Sequence, residues 1–236
     1  MVRREFLKSK WDPVFDSKPT SDIPRMKFSK TFSKEFFKKE SLVLDVGCGT
    51  GSYTQIIDGD NCVAMDLDMN ALKIAKQFCT KSNFVIASAL NLPFRDNTFD
   101  IMFMWAVMEA LPVDTEIQAI TEVRRTLKQG AVFLLSAGKD HFVTNIMDPG
   151  FYLRGQRHFD TNNLIKQIEH VGFSVKRYTI RGAWIFLLSI SIFYFYKHIL
   201  HKKRGKLLEF FYKKSEKELN SNNNGFAIAF LAMQKI

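Results

Sequence analysis

Cysteine, proline and glycine are scarce in this sequence, with 3, 6 and 12 of its 236 residues. Three cysteines, Cys48, Cys62 and Cys79, form neither a metal-ligand pair nor an even disulfide set, so a disulfide scaffold is excluded and a reducing compartment is expected. The low glycine and proline content excludes a collagen-like or low-complexity chain. With 46% hydrophobic and 25% charged residues, the chain has the composition of a packed globular domain.

The sequence also lacks a long hydrophobic run and a secretory leader. Its longest apolar run without a charge, Ala183 to Tyr196, has fourteen residues, whereas a helix needs about 20 to cross a bilayer. The basic N-terminus, MVRREFLKSKWDP, is not followed by an apolar segment or a small-residue cleavage site. We therefore expect a cytoplasmic protein without a spanning helix.

The formal net charge of +10 is concentrated in two parts of the chain. Residues 1–40 carry +5 and residues 176–214 carry +9, whereas residues 41–175 carry −4. An anionic partner would therefore meet the N-terminal arm or the segment from Lys197 to Lys214. The alternative is that these cations only form a solvated surface.

Short apolar runs alternate with helical patterns between Leu42 and Ile180, which predicts an α/β protein with a parallel sheet. The predicted strands are 42–46, 62–66, 83–87, 99–104, 131–136, 173–180 and, after the turn signal at 222–225, 225–233. The predicted helices are 22–39, 52–57, 70–78, 114–127 and 161–171.

The most informative segment is 43–51 (VLDVGCGTG), a strand followed by a glycine-rich turn that opens a predicted helix. Glycines let a nucleoside lie against the main chain, and the helix start offers unpaired N–H groups to an anion. The spacing is G-x-G-x-G, and Asp45 inside the strand is a carboxylate that suits a ligand carrying a cation. The second strand ends at Asp66, which is placed to accept hydrogen bonds from both hydroxyls of a ribose.

With this loop, Asp66 and the segments 87–94 and 97–100, the chain resembles the class I S-adenosylmethionine-dependent methyltransferases. It is most similar to the small-molecule branch that includes the ubiquinone and menaquinone biosynthesis enzymes. The resemblance covers about residues 40–180, including the L-K-x-G turn at 127–130. It implies a Rossmann-like, seven-stranded, mostly parallel sheet with helices on both faces and an antiparallel last strand. It also implies S-adenosyl-L-methionine as the cofactor.

The resemblance assigns the methionine part of the cofactor to Asp45 and the glycine loop, the ribose to Asp66, and the adenine edge to Ser88 and Ala89. The family usually has Asp where Ser88 stands, although a hydroxyl can also partner the adenine amino group. The implied cofactor-binding residues are Asp45, Gly47, Cys48, Gly49, Gly51, Asp66, Leu67, Ser88, Ala89, Leu90 and Trp105.

Methyl transfer is an in-line displacement, so a base is needed only for some acceptors. Glu109 follows the fourth strand and is either a base or a structural cap partner. His158 precedes a predicted helix and is either a base for a hydroxyl or a surface residue, with Arg154 or Arg157 nearby for an anionic acceptor. The N-P-P-Y and Pro-Cys motifs of DNA methylation are absent after the fourth strand. No histidine has metal-ligand spacing, and we predict no metal.

We divide the chain into an N-terminal helical arm, 1–40, and a methyltransferase domain, 41–236, with an insert at about 182–222. Trp11 and Phe15 of the arm are candidates for a lid over the cleft.

The insert contains the run 183–196, followed by the cations Lys197, Lys202, Lys203, Arg204 and Lys206. One interpretation is a core helix or a cover over the acceptor pocket. The other is peripheral contact with an anionic membrane through 183–206.

Together these features predict a methyltransferase for a small, apolar or lipid-linked acceptor, with oxygen as the favoured target atom. One alternative is an RNA methyltransferase, which the positive charge of 176–214 permits although the apolar run argues against nucleic acid. The other is a methyltransferase-like binding module without turnover, because Ala106 and Ala110 can take no proton.

Overall fold

The structure, a computed structural model, describes residues 23–38, 40–57, 59–202, 205–221 and 225–236. The strands are β1 Val43–Val46, β2 Cys62–Asp66, β3 Asn83–Ile86, β4 Phe99–Trp105, β5 Leu127–Gly138, β6 Phe173–Arg181 and β7 Ile228–Lys235. The α-helices are α1 Pro24–Ser33, α2 Met69–Phe78, α3 Glu116–Thr126, α4 Phe142–Met147, α5 Pro149–Arg154, α6 Thr161–His170, α7 Trp184–His198 and α8 Lys206–Asn220. Single turns of 3-10 helix lie at Lys34–Phe36, Thr54–Ile56 and Met108–Ala110.

The seven strands form one sheet in the order β3-β2-β1-β4-β5-β7-β6. Strand β7 runs antiparallel to its neighbours β5 and β6, and the other pairs are parallel. Every predicted strand overlaps an observed one, and β2 matches residue for residue. The prediction of a mostly parallel, seven-stranded sheet with a reversed last strand is confirmed.

Strand β5 begins earlier than predicted. Leu127 pairs with Phe99 and Val132 with Ile101, so the L-K-x-G segment between them bulges out of the ladder. Gly130 has a φ of +72°, which lets the chain return to the sheet. Leu127 is fully buried and already paired in the sheet, so the strand begins there. The segment predicted as a turn before the strand is therefore an irregularity inside it.

The helix predicted at 52–57 is wrong, because only the single turn Thr54–Ile56 forms there. Gly51 has a φ of +83°, and the Thr54 hydroxyl is bonded to Asp45 in the sheet, so the chain folds back before an α-helix can develop. The helix predicted at 22–39 is shorter, since α1 starts at Pro24 and ends at Ser33. Helices α4 and α5 were missed because six residues are too few to show a helical period.

Helices cover both faces of the sheet, as predicted. On one face α3 and α6 bury Ile120 and Leu164 against the sheet. On the other face α1, α7 and α8 pack over Phe230, whose ring lies 4.7 Å from that of Phe28. The part of the predicted N-terminal arm within α1 thus packs on the sheet. The lid candidates Trp11 and Phe15 lie outside the described residues.

The insert forms a helical hairpin of α7 and α8, joined by the segment 199–205. Helix α7 buries Phe186 and Leu187 in the core, whereas Trp184 and Phe195 remain exposed. The predicted core role therefore applies to one side of this helix only. No helix within the described ranges is long and apolar enough to span a membrane.

The hairpin is held together by Glu218 of α8, which caps the N-terminus of α7. Its Oε2 accepts hydrogen bonds from the backbone N–H groups of Ala183 and Phe186, both at 2.8 Å, and its Oε1 accepts one from Ile185 at 3.2 Å. A carboxylate at this position satisfies donors that the first turn of a helix leaves unpaired, and it complements the helix dipole.

We expect Glu218→Ala to lower the free energy of unfolding by about 2 kcal/mol, because three N–H groups lose a charged acceptor. Urea unfolding measures the change. Glu209→Ala removes an exposed glutamate from the same helix and should change stability by less than about 1 kcal/mol. Equal effects of the two substitutions would contradict the capping role of Glu218.

Candidate active site

The candidate residues converge at the carboxyl edge of the sheet. The glycine loop follows β1, Leu67 follows β2, Ser88 follows β3 and Glu109 follows β4. Parallel strands end at the same edge, and ligands of open α/β sheets bind there. The topology thus brings together residues that are far apart in sequence.

The backbone N–H groups of the glycine loop are bonded inside the protein. Gly47 and Cys48 both donate to the carbonyl oxygen of Met65, at 2.8 and 2.9 Å, and Gly51 donates to Cys48 at 3.0 Å. Gly49 donates to Asp66 Oδ2 at 2.8 Å. The expectation of unpaired N–H groups at a helix start, ready for an anion, is therefore wrong for these four groups. Three of them bond the loop to β2, and the Gly51 N–H closes a turn within the loop. The loop is better suited to a ligand that carries positive charge.

The loop leaves open space beside Gly49. Gly47, Gly49 and Gly51 all have a positive φ, of +71°, +53° and +83°. A Cβ added to Gly47 would lie 2.5 Å from a methyl carbon of Val107, whereas one added to Gly49 would meet no atom within 4 Å. The main chain at Gly49 can therefore be approached closely by a ligand.

Asp66 lies at the end of β2 with its carboxylate against the loop. Oδ2 accepts the Gly49 N–H, and Oδ1 accepts the N–H of Asp68 at 2.9 Å. These bonds fix the orientation of the carboxylate. Each oxygen retains capacity for a further donor, because an ionised carboxylate has about four acceptor sites.

An apolar ledge adjoins Asp66. Leu67 is 71% exposed and Met69 is 53% exposed, and Ile86, which pairs with Asp66 across the sheet, is also 53% exposed. Ser88 stands next to this ledge, where its Oγ accepts the N–H of Leu90 at 3.2 Å. Exposed apolar side chains beside a fixed carboxylate suit a ligand with a flat apolar part and a hydroxylated part.

Asp45 is buried beneath the loop. Its Oδ2 accepts a hydrogen bond from the Thr54 hydroxyl at 2.7 Å. Burial raises the pKa of Asp45 to about 7, although the Thr54 bond acts in the opposite direction, and the charge of Asp66 adds to the increase. Asp45 is thus poised between its neutral and ionised forms near neutral pH.

Other predicted cofactor residues lie inside the core. Cys48 is 6% exposed and packs with Ala64 and Leu72, and burial raises the pKa of its thiol. Trp105 is 5% exposed, and its ring centroid lies 5.9 Å from that of Tyr53. Contact of a ligand with either side chain stays a prediction.

Glu109 is buried at the carboxyl end of β4. Its Oε1 accepts the N–H of Gly138 at 2.9 Å, whereas its Oε2 has no hydrogen-bond partner among the described residues. Burial raises the pKa of Glu109, against the lowering effects of Arg25, the Gly138 N–H and His158. A buried carboxyl oxygen without a partner is rare in native structures. Glu109 Oε2 can therefore accept a proton, or a hydrogen bond that a ligand donates.

Arg25 of α1 and Tyr53 belong to the same polar cluster and were missed by the sequence analysis. Burial lowers the pKa of Arg25, but the neighbouring Tyr53, Glu109 and Asp148 raise it above its usual value. The Tyr53 hydroxyl is buried near the Arg25 guanidinium. Neither residue belongs to a recognisable motif. A single charged residue such as Arg25 in a helical pattern usually indicates a face of the helix that is exposed to solvent.

His158 is 3% exposed on its side chain and lies in a network of acceptors. Its Nδ1 faces Asn145 Oδ1 at 2.7 Å, and its Nε2 faces Asp148 Oδ2 at 3.0 Å. The Asn145 amide donates its N–H to Asp140, which orients its oxygen toward the imidazole. Both ring nitrogens therefore face oxygen atoms of the protein, and neither is directed toward open space where an acceptor could lie.

The two arginines near His158 differ in their contacts and in their exposure to solvent. Arg157 donates to Glu116 and to the carbonyl oxygen of Leu111, and its guanidinium lies over the ring of Phe159. Arg157 is thus occupied in tying its loop to α3, whereas Arg154 is exposed at the end of α5. No group of three or more His, Cys, Asp or Glu side chains able to hold a metal is found in the described ranges.

The strand order, the glycine loop and the acid at the end of β2 define the fold of the class I S-adenosylmethionine-dependent methyltransferases. Residues 44–135 match the family described as Methyltransferase domain.

Three relatives illustrate the range of similar sequences. The chain is 32% identical over 139 residues to an uncharacterized protein of Methanocaldococcus jannaschii, covering 58% of this chain and 57% of that protein. It is 31% identical over 113 residues to a demethylmenaquinone methyltransferase of Lactiplantibacillus plantarum, covering 43% and 47%. It is 31% identical over 124 residues to a probable tRNA methyltransferase 9B of Homo sapiens, covering 52% and 26%. The chain thus spans about half, or less, of the length of these relatives.

The fold is shared with solved structures at lower identity. A putative sarcosine dimethylglycine methyltransferase from Galdieria sulphuraria superimposes with a TM-score of 0.64 at 12% identity, over 90% of this chain and 84% of that one. This similarity covers most of the chain, including elements outside the family match.

The raised pKa of Asp45 predicts a pH-dependent stability. The folded protein holds this proton more tightly than the unfolded chain, with a pKa of about 7 against 3.8. The resulting stability is therefore complete below about pH 4 and is lost as the pH rises through about 7. Relative to Asp45→Asn, the unmodified protein should lose up to about 1.4 kcal/mol of unfolding free energy per pH unit in this interval. Urea unfolding at several pH values measures the difference, and parallel stability curves would count against it.

Proposed function

We propose that the protein is an S-adenosyl-L-methionine-dependent methyltransferase that methylates an oxygen of a small, apolar or lipid-linked acceptor. The observation that supports this most is the arrangement at the carboxyl edge, where Asp66 is held against a glycine loop that is open at Gly49. The family match over residues 44–135 includes both features.

S-adenosyl-L-methionine fits this site in shape and charge. The carboxylate of Asp66 faces the edge where ribose hydroxyls can donate to it, and the exposed Leu67 and Ile86 offer an apolar surface for the adenine. Asp45 adds negative charge beneath the loop when it is ionised, which suits the ammonium and sulfonium of the methionine part. When bound, the cofactor supplies an electrophilic methyl group. The assignment of the adenine edge to Ser88 and Ala89 remains part of the proposal.

We expect Asp66→Ala to reduce affinity for S-adenosyl-L-methionine about tenfold or more, because a pair of charge-assisted hydrogen bonds is lost. Titration calorimetry measures the affinity. Asp60→Ala, an exposed aspartate in the loop before the same strand, is the matched control and should bind normally. Gly49→Val should abolish binding, because its side chain fills the open side of the loop and a β-branched residue is strained at a φ of +53°. Circular dichroism should change little, since the strain is local to the loop. Unchanged affinity of Asp66→Ala would refute the ribose assignment.

The acceptor side of the site is proposed to be the polar cluster around Glu109. For a hydroxyl acceptor, Glu109 Oε2 can receive the proton that the acceptor loses as its oxygen takes the methyl group, because this oxygen has no partner among the described residues. Arg25 lies near both Tyr53 and Glu109, and we assign to Arg25 and Tyr53 the role of orienting the acceptor through hydrogen bonds. His158 holds Asp148 and Asn145 in place and thus acts as a positioning residue.

An apolar acceptor is favoured over RNA by the surroundings of this cluster. Helix α7 packs against α4 and α5, and between Trp184 and Tyr196 its side chains are aromatic or aliphatic except for two serines. The demethylmenaquinone methyltransferase of L. plantarum is one similar protein whose name indicates an apolar acceptor. The tRNA methyltransferase relative and the cations of 176–214 keep RNA as the second candidate.

Turnover distinguishes these candidates. Incubation of the purified protein with methyl-labelled cofactor and with lipid, glycan and RNA fractions should label the lipid fraction. Glu109→Gln should lower the rate by about a hundredfold or more, as the loss of a general base commonly does, while cofactor affinity is retained. Glu169→Gln, an exposed glutamate of α6, is the matched control with an unchanged rate.

Three results would point elsewhere. Label in the RNA fraction alone would favour the RNA methyltransferase. Cofactor binding without label in any fraction would favour a binding module. A Glu109→Gln rate equal to that of the control would remove Glu109 from the role of base.

A further inference from the structure

We infer that the exposed side of the α7–α8 hairpin is a docking surface for an anionic lipid bilayer. This inference goes beyond the proposed function, since it concerns where the protein works and requires neither cofactor nor turnover. It rests on an apolar stripe, the composition of the hairpin tip and the charge around it.

The apolar stripe runs along the solvent side of α7. Trp184, Leu188, Phe195 and Ile199 are 59%, 37%, 50% and 64% exposed. Their spacing of four, seven and four residues places them within one narrow sector of a helix with 3.6 residues per turn. The opposite side of α7 is also apolar and is buried. A surface helix normally has a polar outer face, so this outer face requires a partner.

Further apolar side chains are exposed near the tip of the hairpin. Leu200 is 41% exposed, and Leu207 and Phe210 at the start of α8 are each 51% exposed. The Lys214 ammonium lies 4.7 Å from the centre of the Phe210 ring. Apolar side chains and cations alternate at this tip, as in helices that lie in a membrane interface.

Helices α4 and α5 widen the surface beside α7. The Ser191 hydroxyl of α7 donates to the carbonyl oxygen of Met147 in α4 at 2.9 Å, which fixes the two helices together. Phe142 and Ile146, four residues apart on α4, are 76% and 55% exposed. Asp148, which caps α5, also bonds His158. The surface therefore adjoins the proposed acceptor side, so that an apolar acceptor could enter from a bilayer.

Charge selects an anionic bilayer as the occupant. Residues 197–214 contain seven lysines and arginines and one glutamate. A second copy of the chain would bring the same cations to the interface and be repelled. Anionic lipid headgroups attract the cations while the stripe enters the acyl boundary, so one partner satisfies both parts of the surface.

The test is sedimentation of the full chain with vesicles of phosphatidylcholine alone or of phosphatidylcholine mixed with phosphatidylglycerol. We expect strong binding to the mixed vesicles at low salt, loss of binding at high salt, and weak binding to the neutral vesicles. Ile199→Asp should weaken binding about tenfold or more, because a charge replaces an inserted side chain. Ile117→Asp makes the same change on α3, on the other face of the sheet, and should bind as the unmodified protein does.

The cations are tested separately by changing Lys202, Lys203 and Arg204 to Gln. This variant should leave the mixed vesicles at lower salt and bind S-adenosyl-L-methionine with unchanged affinity. Replacing Lys73, Lys76 and Lys81 by Gln removes the same charge from the α2 region and is the matched control for vesicle binding.

Four outcomes would overturn the inference. They are a folded protein that does not bind mixed vesicles at low salt, equal effects of Ile199→Asp and Ile117→Asp, self-association that Ile199→Asp abolishes, and binding to neutral vesicles that is as strong as binding to mixed vesicles. Failure of vesicle binding leaves cofactor affinity and turnover unaffected, so it is distinguishable from failure of the proposed function.

Discussion

The clamp between the glycine loop and the second strand is the constraint on which the site depends. Met65 accepts two N–H groups of the loop through its carbonyl oxygen, and Asp66 accepts a third through its carboxylate. These bonds hold the loop in a conformation with three positive φ angles, which only glycine adopts without strain. The same bonds orient the Asp66 carboxylate and leave the Gly49 side open. The conformation of the loop and the orientation of the Asp66 carboxylate therefore depend on one set of hydrogen bonds.

The site has two halves that differ in charge. Near the loop, Asp66, joined by Asp45 when it is ionised, provides negative charge beside an apolar ledge, which suits a cationic nucleoside. Around Glu109, positive and negative side chains compensate each other in a buried cluster, and one buried oxygen of Glu109 keeps unused hydrogen-bonding capacity. Buried polar atoms of this kind destabilise a fold. Their presence is best explained by a ligand that completes their hydrogen bonds.

Helix α7 shows how one sequence can support two interpretations at once. Its apolar run permits either a core helix or a membrane contact, and the fold buries one side of the helix in the core and leaves the other side exposed. The buried side is held by Glu218 and by packing on the sheet, so the exposed stripe is presented in a fixed orientation. The α7–α8 hairpin thus connects the core of the domain to a surface that combines exposed apolar side chains with a cluster of cations.

The sequence by itself determined the β-α order, the strands, the glycine loop and Asp66, because hydrophobic period and glycine spacing are local signals. It did not determine the turn after Gly51 or the bulge before Ala131, where long-range pairing overrides local preference. Only the tertiary structure placed Arg25 beside Tyr53 and Glu109. It also showed that both ring nitrogens of His158 face hydrogen-bond partners within the protein. The physical reason is that burial and hydrogen-bond partners depend on which distant segments meet, and no local pattern encodes that meeting.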